Sequence, residues 1–426
     1  MMQRYEKYRD SGVDWIGEIP KNWEIVRFKR LFKEKKKTTD ASLNSGSISF
    51  GEVVYKNDEK ITEATKLSYQ VLNKGEFLLN PLNMNYDLKS LRIGLSSINV
   101  VVSSGYIILQ SKKGLNKNYY RWLLRVYDIV FMKTLGAGVR QTINYNDLAD
   151  SHLVVPSLEE QQTIATFLDD KTAKIDQTIA IKEKEIELLK ERRQILIQKA
   201  VTKGLDDTVT LKDSGVDWIG DIPEHWEVRK LVSLCRFVRG NSPFGKDELL
   251  NAGEYIALQY GKTYKVNEVN EGYSFYVNNE FYKNSQVVNY GDVILVSTSE
   301  TIEDLGHTVY YRRNEIGLLG GEQIMLKPNQ EQVDSHFLYF SAKVFSKELQ
   351  KFATGIKVFR FNINDLKTIF NAVPPISEQK EIANFIEINS NKIAKAILLK
   401  QQEIEKLKEY KTVLIDNVVT GKVRVS

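Results

Sequence analysis

Basic side chains form two clusters at equivalent places along the chain, and their chemistry suits contact with the phosphates of a nucleic acid. The first cluster begins at Lys29 and the second at Arg229. Basic clusters are also common on solvated faces, so the repeated placement is what favours phosphate contact. The members that we predict to bind DNA are Lys35, Lys36, Lys37 and Arg239.

Polar loops that follow apolar strands supply a second set of candidates, because amide, hydroxyl and guanidinium groups at loop tips can hydrogen-bond to base edges. Residues just before the long helical segments could instead grip the backbone. The loop candidates are Asn83, Asn85, Tyr86, Arg92, Thr298 and Ser299. The residues before the helical segments are Arg140, Gln141, Lys357 and Arg360, and Arg312 and Arg313 are also predicted to bind DNA.

Residue patterns for catalysis or metal binding are missing from the sequence. The four histidines show no metal-ligand spacing, and Cys235 is the only cysteine, which we expect to be a buried small hydrophobe. Gly136 and Gly138 lack the third glycine of a dinucleotide fingerprint, and no phosphate-binding loop of the P-loop type occurs. The sequence therefore predicts no catalytic residue, no metal and no cofactor in this chain.

Composition is that of an ordinary globular protein, with 42% hydrophobic and 27% charged residues among 426. No apolar stretch is long enough for a membrane span and the start lacks a signal-peptide core, so we expect a cytoplasmic protein without membrane contact. Charge is uneven. Residues 25–135 contain 19 basic and 9 acidic residues, whereas residues 228–352 contain 14 and 15.

A fifteen-residue phrase occurs twice, as DSGVDWIGEIPKNWE from Asp10 and as DSGVDWIGDIPEHWE from Asp213. A second repeat follows each copy in the same order, as EQQTIATFLD from Glu160 and EQKEIANFIE from Glu378. A period this long indicates duplicated domains rather than a solenoid. We expect the tryptophans of the phrase to pack against the end of a long helix.

Two segments of about 45 residues, near 157–203 and 375–420, have the heptad pattern of a coiled coil. Ser157 and Glu160 predict a capping box, Gly204 the end of the first helix, and Pro375 the first turn of the second. The predicted core positions of the first helix are Leu168, Thr172, Ile175, Ile179, Lys182, Ile186, Leu189, Arg193, Leu196 and Ala200. Those of the second are Ile386, Ser390, Ile393, Ile397, Lys400, Ile404, Leu407, Lys411, Leu414 and Val418.

Helices of this length would measure roughly 65 to 70 Å and need a partner. We expect them to pair antiparallel with each other; the alternative is that each packs on its own domain. Short β-type runs between the repeats predict two mixed α/β globules, so the fold class is α/β (α+β). The predicted segments are a first globule at 1–155, a helix at 156–204, a second globule at 205–373 and a helix at 374–426.

The order of these motifs resembles the specificity subunit of type I restriction-modification systems. The resemblance rests on Asp14–Pro20 with Trp23, on 156–167, and on their second copies at 217–226 and 374–385. It implies two target-recognition domains, each binding one half of a split double-stranded DNA target, held apart by an antiparallel coiled coil.

The resemblance also implies partners. Two methyltransferase subunits and motor-nuclease restriction subunits would join the chain, and they would use S-adenosylmethionine, ATP and Mg²⁺. The specificity subunit itself would be non-catalytic. Two alternatives stay open from the residues alone: a stand-alone nuclease or methyltransferase, and a coiled-coil scaffold whose globules bind proteins.

Overall fold

The computed structural model describes residues 3–82, 91–135, 142–355 and 357–425, apart from the side chain of Lys60. The chain forms two compact units. The first contains Met1–Glu183 and Gln401–Ser426, and the second contains Lys184–Lys400. Each unit therefore combines one globule with one part of each long helix.

The first unit is built from short strands and one substantial globule helix, α3. Its strands are β1 (Tyr8–Asp10), β2 (Glu18–Pro20), β3 (Glu24–Arg27), β4 (Phe32–Glu34), β5 (Gly46–Ser49), β6 (Glu52–Tyr55), β7 (Gln70–Leu72), β8 (Phe77–Leu79), β9 (Ile93–Leu95), β10 (Val100–Val102), β11 (Ile107–Ser111) and β12 (His152–Val155). Its helices are α1 (Phe28–Leu31), α2 (Glu63–Ser68), α3 (Lys117–Val130), α4 (Tyr145–Ala149) and the start of α5 (Leu158–Lys203), with 3₁₀ turns at Asp58–Lys60 and Met132–Thr134.

The second unit follows the same plan with more strands. They are β13 (Leu211–Asp213), β14 (Asp221–Pro223), β15 (Glu227–Lys230), β16 (Cys235–Arg239), β17 (Tyr255–Leu258), β18 (Glu268–Val269), β19 (Tyr276–Val277), β20 (Val287–Val288), β21 (Val293–Val296), β22 (Thr298–Ser299), β23 (Thr308–Tyr311), β24 (Gly317–Leu319), β25 (Gln323–Pro328), β26 (Phe359–Arg360) and β27 (Phe370–Val373). The helices are α6 (Leu231–Leu234), α7 (Tyr260–Thr263), α8 (Ser335–Leu349), α9 (Ile363–Leu366) and α10 (Ile376–Val419), with 3₁₀ turns at Asn279–Phe281, Asn284–Gln286 and Gln350–Phe352.

The central sheets have corresponding strands in the two units. The first has the antiparallel order β4-β11-β8-β9, and the second has the order β16-β25-β21-β23-β18. Strands β8 and β21 are buried along their whole length, because both faces of each are covered. Phe77 packs in the cluster that contains α3, whereas Leu78 packs in a separate cluster on the other face. The second unit adds a four-stranded sheet, β19-β17-β24-β20.

Each globule is closed by a strand pair that joins its two ends. Strand β3 follows the repeated phrase and pairs antiparallel with β12, which directly precedes α5. In the second unit β15 pairs with β27, which precedes α10. The pairing brings the start and the end of each variable segment together at the beginning of a long helix.

The heptad prediction is confirmed. All twenty predicted core residues of α5 and α10 are buried or half-buried. Within the first unit, Asp176 of α5 pairs with Lys411 of α10, and Lys182 with Glu403. Within the second unit, Glu185 pairs with Lys400. As the residue number increases along α5, the number of its partner in α10 decreases, so the helix segments run antiparallel.

The predicted tryptophan packing is confirmed, and the structure shows that each indole also donates a hydrogen bond to a long helix. Trp23 is buried, and its Nε1 donates to Oε1 of Glu160 at 3.2 Å, at the start of α5. Trp226 is buried too and donates to Oε1 of Glu378 at 3.1 Å, at the start of α10. A buried indole N–H needs an acceptor, and a negative charge in the first helical turn interacts favourably with the helix dipole. One carboxylate in each unit fills both roles.

Glycines that end the long helices lie against the same indoles. Gly421 follows α10 and faces Pro20 and Trp23, where an added Cβ would come within 2.9 Å of the ring. Gly204 follows α5 and faces Trp226, where the Cβ would be 3.2 Å away. Both glycines have φ of 78°. The predicted helix end at Gly204 is confirmed, and each indole joins the end of one helix to the start of the other.

The glutamine that follows each carboxylate binds the globule helix. Gln161 accepts the backbone N–H of Asn116, the N-cap of α3, at 3.0 Å, and donates to the carbonyl of Pro156. Gln379 does the same for Asp334, the N-cap of α8, at 2.7 Å, and for Pro374. Both glutamines are buried. The P-x-x-x-E-Q segment at 156–161 and at 374–379 therefore links the repeated phrase, the globule helix and the start of the long helix.

An acid nine residues after each motif carboxylate adds a second joint. Asp169 of α5 accepts from Arg121 and from the indole of Trp122, the latter at 2.7 Å. Glu387 of α10 accepts from Arg312 at 2.8 Å and lies 3.5 Å from the ring of His336. Each globule is thus fixed to its long helix at two points.

The Ser157–Glu160 capping box is confirmed, with the backbone N–H of Glu160 donating to Ser157 at 3.2 Å. Pro375 differs from the prediction, because α10 begins at Ile376. The carbonyl of Pro375 accepts the N–H of Gln379, which places the proline at the N-cap rather than in the first turn. Cys235 is buried as expected, and burial raises the pKa of its thiol to about 12.

We expect Glu378→Ala to lower the free energy of unfolding by about 1–3 kcal/mol, because it leaves the buried indole of Trp226 without an acceptor and removes a carboxylate from the first turn of α10. Urea unfolding of the full chain measures the loss. Glu381→Ala removes an exposed carboxylate of the same helix and should change stability by less than about 0.5 kcal/mol. Equal losses in both variants would contradict the proposed joint.

Candidate nucleic-acid interface

In the first unit, the residue before segment 83–90 pairs with the residue after segment 136–141, and both segments contain predicted DNA-binding residues. Leu82 forms an isolated antiparallel bridge with Thr142, and the N–H of Ile143 donates to the carbonyl of Pro81 at 3.1 Å. We call this pairing the loop-base bridge. Asn83, Asn85, Tyr86, Arg140 and Gln141 lie outside the described residues, in the two segments that this bridge joins.

The second unit has the same bridge at the equivalent position, extended into two short strands. Thr298 pairs with Arg360 and Ser299 with Phe359, while the N–H of Phe361 donates to the carbonyl of Ser297 at 3.2 Å. The structure thus brings three predicted residues together, and Lys357 lies on the approach to β26. Thr298 and Ser299 are buried, whereas Lys357 and Arg360 are exposed.

The side chains of the predicted basic cluster differ in their surroundings. Lys35 forms a buried ion pair with Glu76 at 2.7 Å, and donates to the carbonyl of Val71. Because this side chain has internal partners, we do not include it in the interface proposed below. Lys36 and Lys37 are exposed, and Lys37 donates to the carbonyl of Ser68 at 2.8 Å. Arg239 is exposed at the end of β16.

Arg92 supports the loop rather than presenting its guanidinium to solvent. The residue is 6% exposed, and its side chain donates to the carbonyl of Leu82 at the loop-base bridge. Its backbone N–H donates to Oδ2 of Asp128 in α3. Loop and globule helix are therefore connected through a buried carboxylate.

Arg312 and Arg313 also have internal partners. Arg312 lies between Glu268, at 3.1 Å, and Glu387 of α10. Arg313 is 8% exposed, pairs with Glu315 and donates to the carbonyl of Tyr273 at 3.0 Å. Both stabilise the second unit, so we leave them out of the interface as well.

Two aromatic features of the globules, one in each unit, were not predicted from the sequence. Phe50 is 77% exposed at the tip of the β5–β6 hairpin, with φ of 48°, and the adjacent Gly51 packs on Leu91. In the second unit Tyr260 and Tyr264 stack with ring centroids 5.6 Å apart. The turn residues around Phe50 could have indicated the hairpin, but nothing in the sequence shows that its tip packs beside residue 91.

Tyr260 connects that stack to β22. Burial raises the pKa of its hydroxyl, and the charge of Glu300 adds to the effect, while a hydrogen bond with Ser299 works against it. Stacked or exposed rings beside a polar strand can contact bases or sugars.

Among the described residues, no group of three or more histidine, cysteine, aspartate or glutamate side chains could hold a metal ion. No helix in the described ranges is both long enough and apolar enough to cross a membrane.

A family model for the type I restriction modification DNA specificity domain matches the chain twice, at residues 20–191 and at residues 223–409. The chain belongs to this family. The matches coincide with the two globules and the helices that follow them. The protein is thus a type I specificity subunit, a non-catalytic component of restriction-modification systems that has two specificity domains, and the predicted resemblance is confirmed.

Related specificity subunits match over their whole length. The putative type I restriction enzyme MjaX specificity subunit of Methanocaldococcus jannaschii is 27% identical over 447 residues, covering 100% of this chain and 99% of that protein. The MjaVIII specificity subunit of the same organism is 24% identical and covers 100% and 98%.

Solved structures show the same fold. One, described as "Structural basis underlying complex assembly and conformational transition of the type I R-M system", matches with a TM-score of 0.69 at 13% identity, over 94% of this chain and 98% of that chain. The HsdS subunit from Thermoanaerobacter tengcongensis matches with a TM-score of 0.54 at 14% identity, over 95% and 98%.

Asp128, which supports Arg92, predicts a dependence of stability on pH. Burial raises the pKa of this carboxyl to about 6, and the charges of Lys133 and Arg92 offset only part of that. The unfolded value is about 3.9, so the folded state binds the proton more tightly. This group therefore destabilises the fold progressively between about pH 4 and pH 6, and fully above that.

Asp128→Asn keeps an acceptor for Arg92 without the charge. At pH 7.5 we expect its free energy of unfolding to exceed the parent's by on the order of 1–3 kcal/mol, and at pH 4 to be nearly equal. Urea unfolding at both pH values measures this. Asp14→Asn, at an exposed position of the same unit, is the control. A variant that is no more stable than the parent at pH 7.5 would refute the assignment.

Proposed function

We propose that each unit of this specificity subunit binds one half of a split duplex-DNA target through the surface around its loop-base bridge. The bridges at Leu82–Thr142 and Thr298–Arg360 support the proposal. They occupy equivalent positions in the two copies, and the predicted DNA-binding segments begin or end at them. The scaffold is repeated while the segments attached to it differ. Two different surfaces on one repeated frame suit two different half-sites.

Exposed groups in each unit supply the required chemistry. Lys36 and Lys37 in the first unit, and Lys357 and Arg360 in the second, are cations that can bind phosphates. Phe50 is an exposed ring that could insert at a base step. The first globule, with its excess of basic residues, would contribute more of the salt-dependent affinity than the second.

The partners follow from the family. We infer that methyltransferase subunits bind the long helices, and that motor-nuclease subunits complete the restriction complex. Apolar side chains support contact with proteins along these helices, since Leu188, Ile195, Leu398 and Leu399 are each more than half exposed. S-adenosylmethionine, ATP and Mg²⁺ would be bound by those partners, while the specificity subunit needs no cofactor of its own.

Arg360→Ala tests the interface directly. The backbone of Arg360 pairs with Thr354 in both directions, so the fold should tolerate the loss of an exposed side chain. We expect weaker binding to the cognate duplex, and a slope of log affinity against log salt that is shallower by about 1, because one phosphate contact is lost. Fluorescence anisotropy at several salt concentrations, with a methyltransferase subunit present, measures both.

The matched control is Lys190→Ala, which removes an exposed cation of α5 in the same unit. It should leave affinity and slope unchanged. A slope for Arg360→Ala that equals the parent's would contradict phosphate contact at the loop-base bridge.

The long helices connect the two units, so we propose that their length sets the distance between half-sites. Removing residues 181–187 together with 399–405 deletes one heptad from each helix. Both lysine–glutamate pairs, Lys182–Glu403 and Lys400–Glu185, lie inside these blocks, so the deletion leaves neither partner behind. Seven residues correspond to about 10 Å, or roughly three base pairs.

Mapping of methylated sites in cells that contain the variant should show the same half-sites with a spacer shorter by about three base pairs, or no methylation. Lys182→Glu combined with Glu403→Lys preserves both length and pairing, and should preserve the spacer. Methylation by the deletion variant at the parental spacer would refute the role of helix length.

A further inference from the structure

Two cations occupy equivalent positions beside the long helices in the two units. In the first unit they are Arg125 of α3 and Lys411 of α10. In the second they are Lys343 of α8 and Arg193 of α5. Arg125 and Lys343 each lie nine residues after the N-cap of their helix, and Lys411 and Arg193 occupy the same heptad position. The globule helix carries arginine in the first unit and lysine in the second, whereas the long helix carries lysine in the first and arginine in the second. Both positive charges are therefore present in each unit.

The first unit places a carboxylate with its two cations. Both oxygens of Asp176 lie 2.6 Å from Nζ of Lys411. Burial lowers the pKa of Arg125, and the negative charge of Asp176 acts against that shift. Asp176 therefore balances both cations of this unit.

The second unit lacks that carboxylate. Asp176 corresponds to Ala394, at the shift of 218 residues that relates α5 to α10. Within the described part of the chain, Arg193 forms no hydrogen bond or ion pair. Lys343 donates to the amide oxygen of Asn267 at 2.9 Å and lies over the ring of Tyr339 at 4.7 Å.

Among the described residues, none of the acids that line the cavities around these cations forms an ion pair with Arg193 or Lys343; these acids are Glu268, Glu303, Asp304 and Glu387. Glu268 and Glu387 both bind Arg312, at 3.1 and 2.8 Å. The pKa of Lys343 falls to about 8, first because of burial and then because of the charge of Arg193, with Glu268 opposing part of the shift. The two cations are therefore close enough to repel each other.

Arg193 and Lys343 both line cavities between the long helix α5 and the second globule. Cavities of about 280 and about 390 Å³ share Arg193, Ile197, Asn267 and Lys343 in their walls. Ala394 lines the larger one, where an aspartate would fill part of the space. A duplex is too wide to enter such a space, whereas a phosphate-sized group fits.

We propose that the second unit binds a small oxyanion between Arg193 and Lys343, in the position that the carboxylate of Asp176 takes in the first unit. Two half-buried cations without a carboxylate favour a charged oxygen ligand. The bound anion joins α5 to α8 and so adds a third contact between the second globule and its helices. It is independent of DNA binding at the loop-base bridge.

Inorganic phosphate is the probe, applied to the full chain at constant ionic strength with chloride as the comparison. Isothermal titration calorimetry should show saturable phosphate binding, and the thermal transition should shift upward with phosphate. Arg193→Gln and Lys343→Gln should each weaken phosphate binding at least tenfold. Ala394→Asp should raise the transition temperature without phosphate and abolish phosphate binding, because it supplies the missing carboxylate.

Lys190→Gln removes an exposed cation of the same helix and should bind phosphate as the parent does. Parent protein that binds phosphate no more than the chloride comparison would overturn the proposal. Ala394→Asp protein that keeps the parent's phosphate affinity would overturn it too, since the anion would then bind elsewhere.

Discussion

The fold depends on a hydrogen bond between a buried indole and the first-turn carboxylate of a long helix, made once in each unit. The indoles of Trp23 and Trp226 are fully enclosed, so each N–H must be satisfied inside the protein. Glu160 and Glu378 accept these bonds from positions in the first turns of α5 and α10. The repeated phrase is therefore the part of the chain that sets where each helix begins.

The neighbouring residues extend this constraint to the globules. Gln161 and Gln379 connect the cap of the globule helix to the proline before the long helix. Asp169 and Glu387 then bind the globule again two and a half turns further on. Two contacts on one rigid helix fix an orientation as well as a position. The loops of a globule can consequently vary in sequence without changing how that globule is attached to its long helix.

The sequence predicts this frame well because its signals are local or periodic. Heptad spacing identifies core positions such as Lys182 and Lys400, which look unsuitable for a core until Glu403 and Glu185 are seen beside them. The duplication identifies Trp23 and Trp226 as packing residues. Periodicity alone could not reveal which acid each lysine meets, because that depends on the register between two distant segments.

The candidate site was harder to predict, since charge in a sequence does not indicate exposure. Lys35, Arg92 and Arg313 have the right chemistry for DNA, yet each is used inside the globule. Phe50 shows the opposite case, an apolar residue that the hairpin holds in solvent. The sequence did not indicate that segments distant along the chain lie together, because the pairings of Leu82 with Thr142 and of Thr298 with Arg360 form only in the folded globules.

The glycine–indole contacts have a consequence for how the family can vary. Gly421 ends α10 against the indole that starts α5, and Gly204 ends α5 against the indole that starts α10. A residue gained or lost in one helix alone would pull one glycine away from its ring. The helices have 46 and 44 residues, and we expect an insertion in one to need a matching insertion in the other.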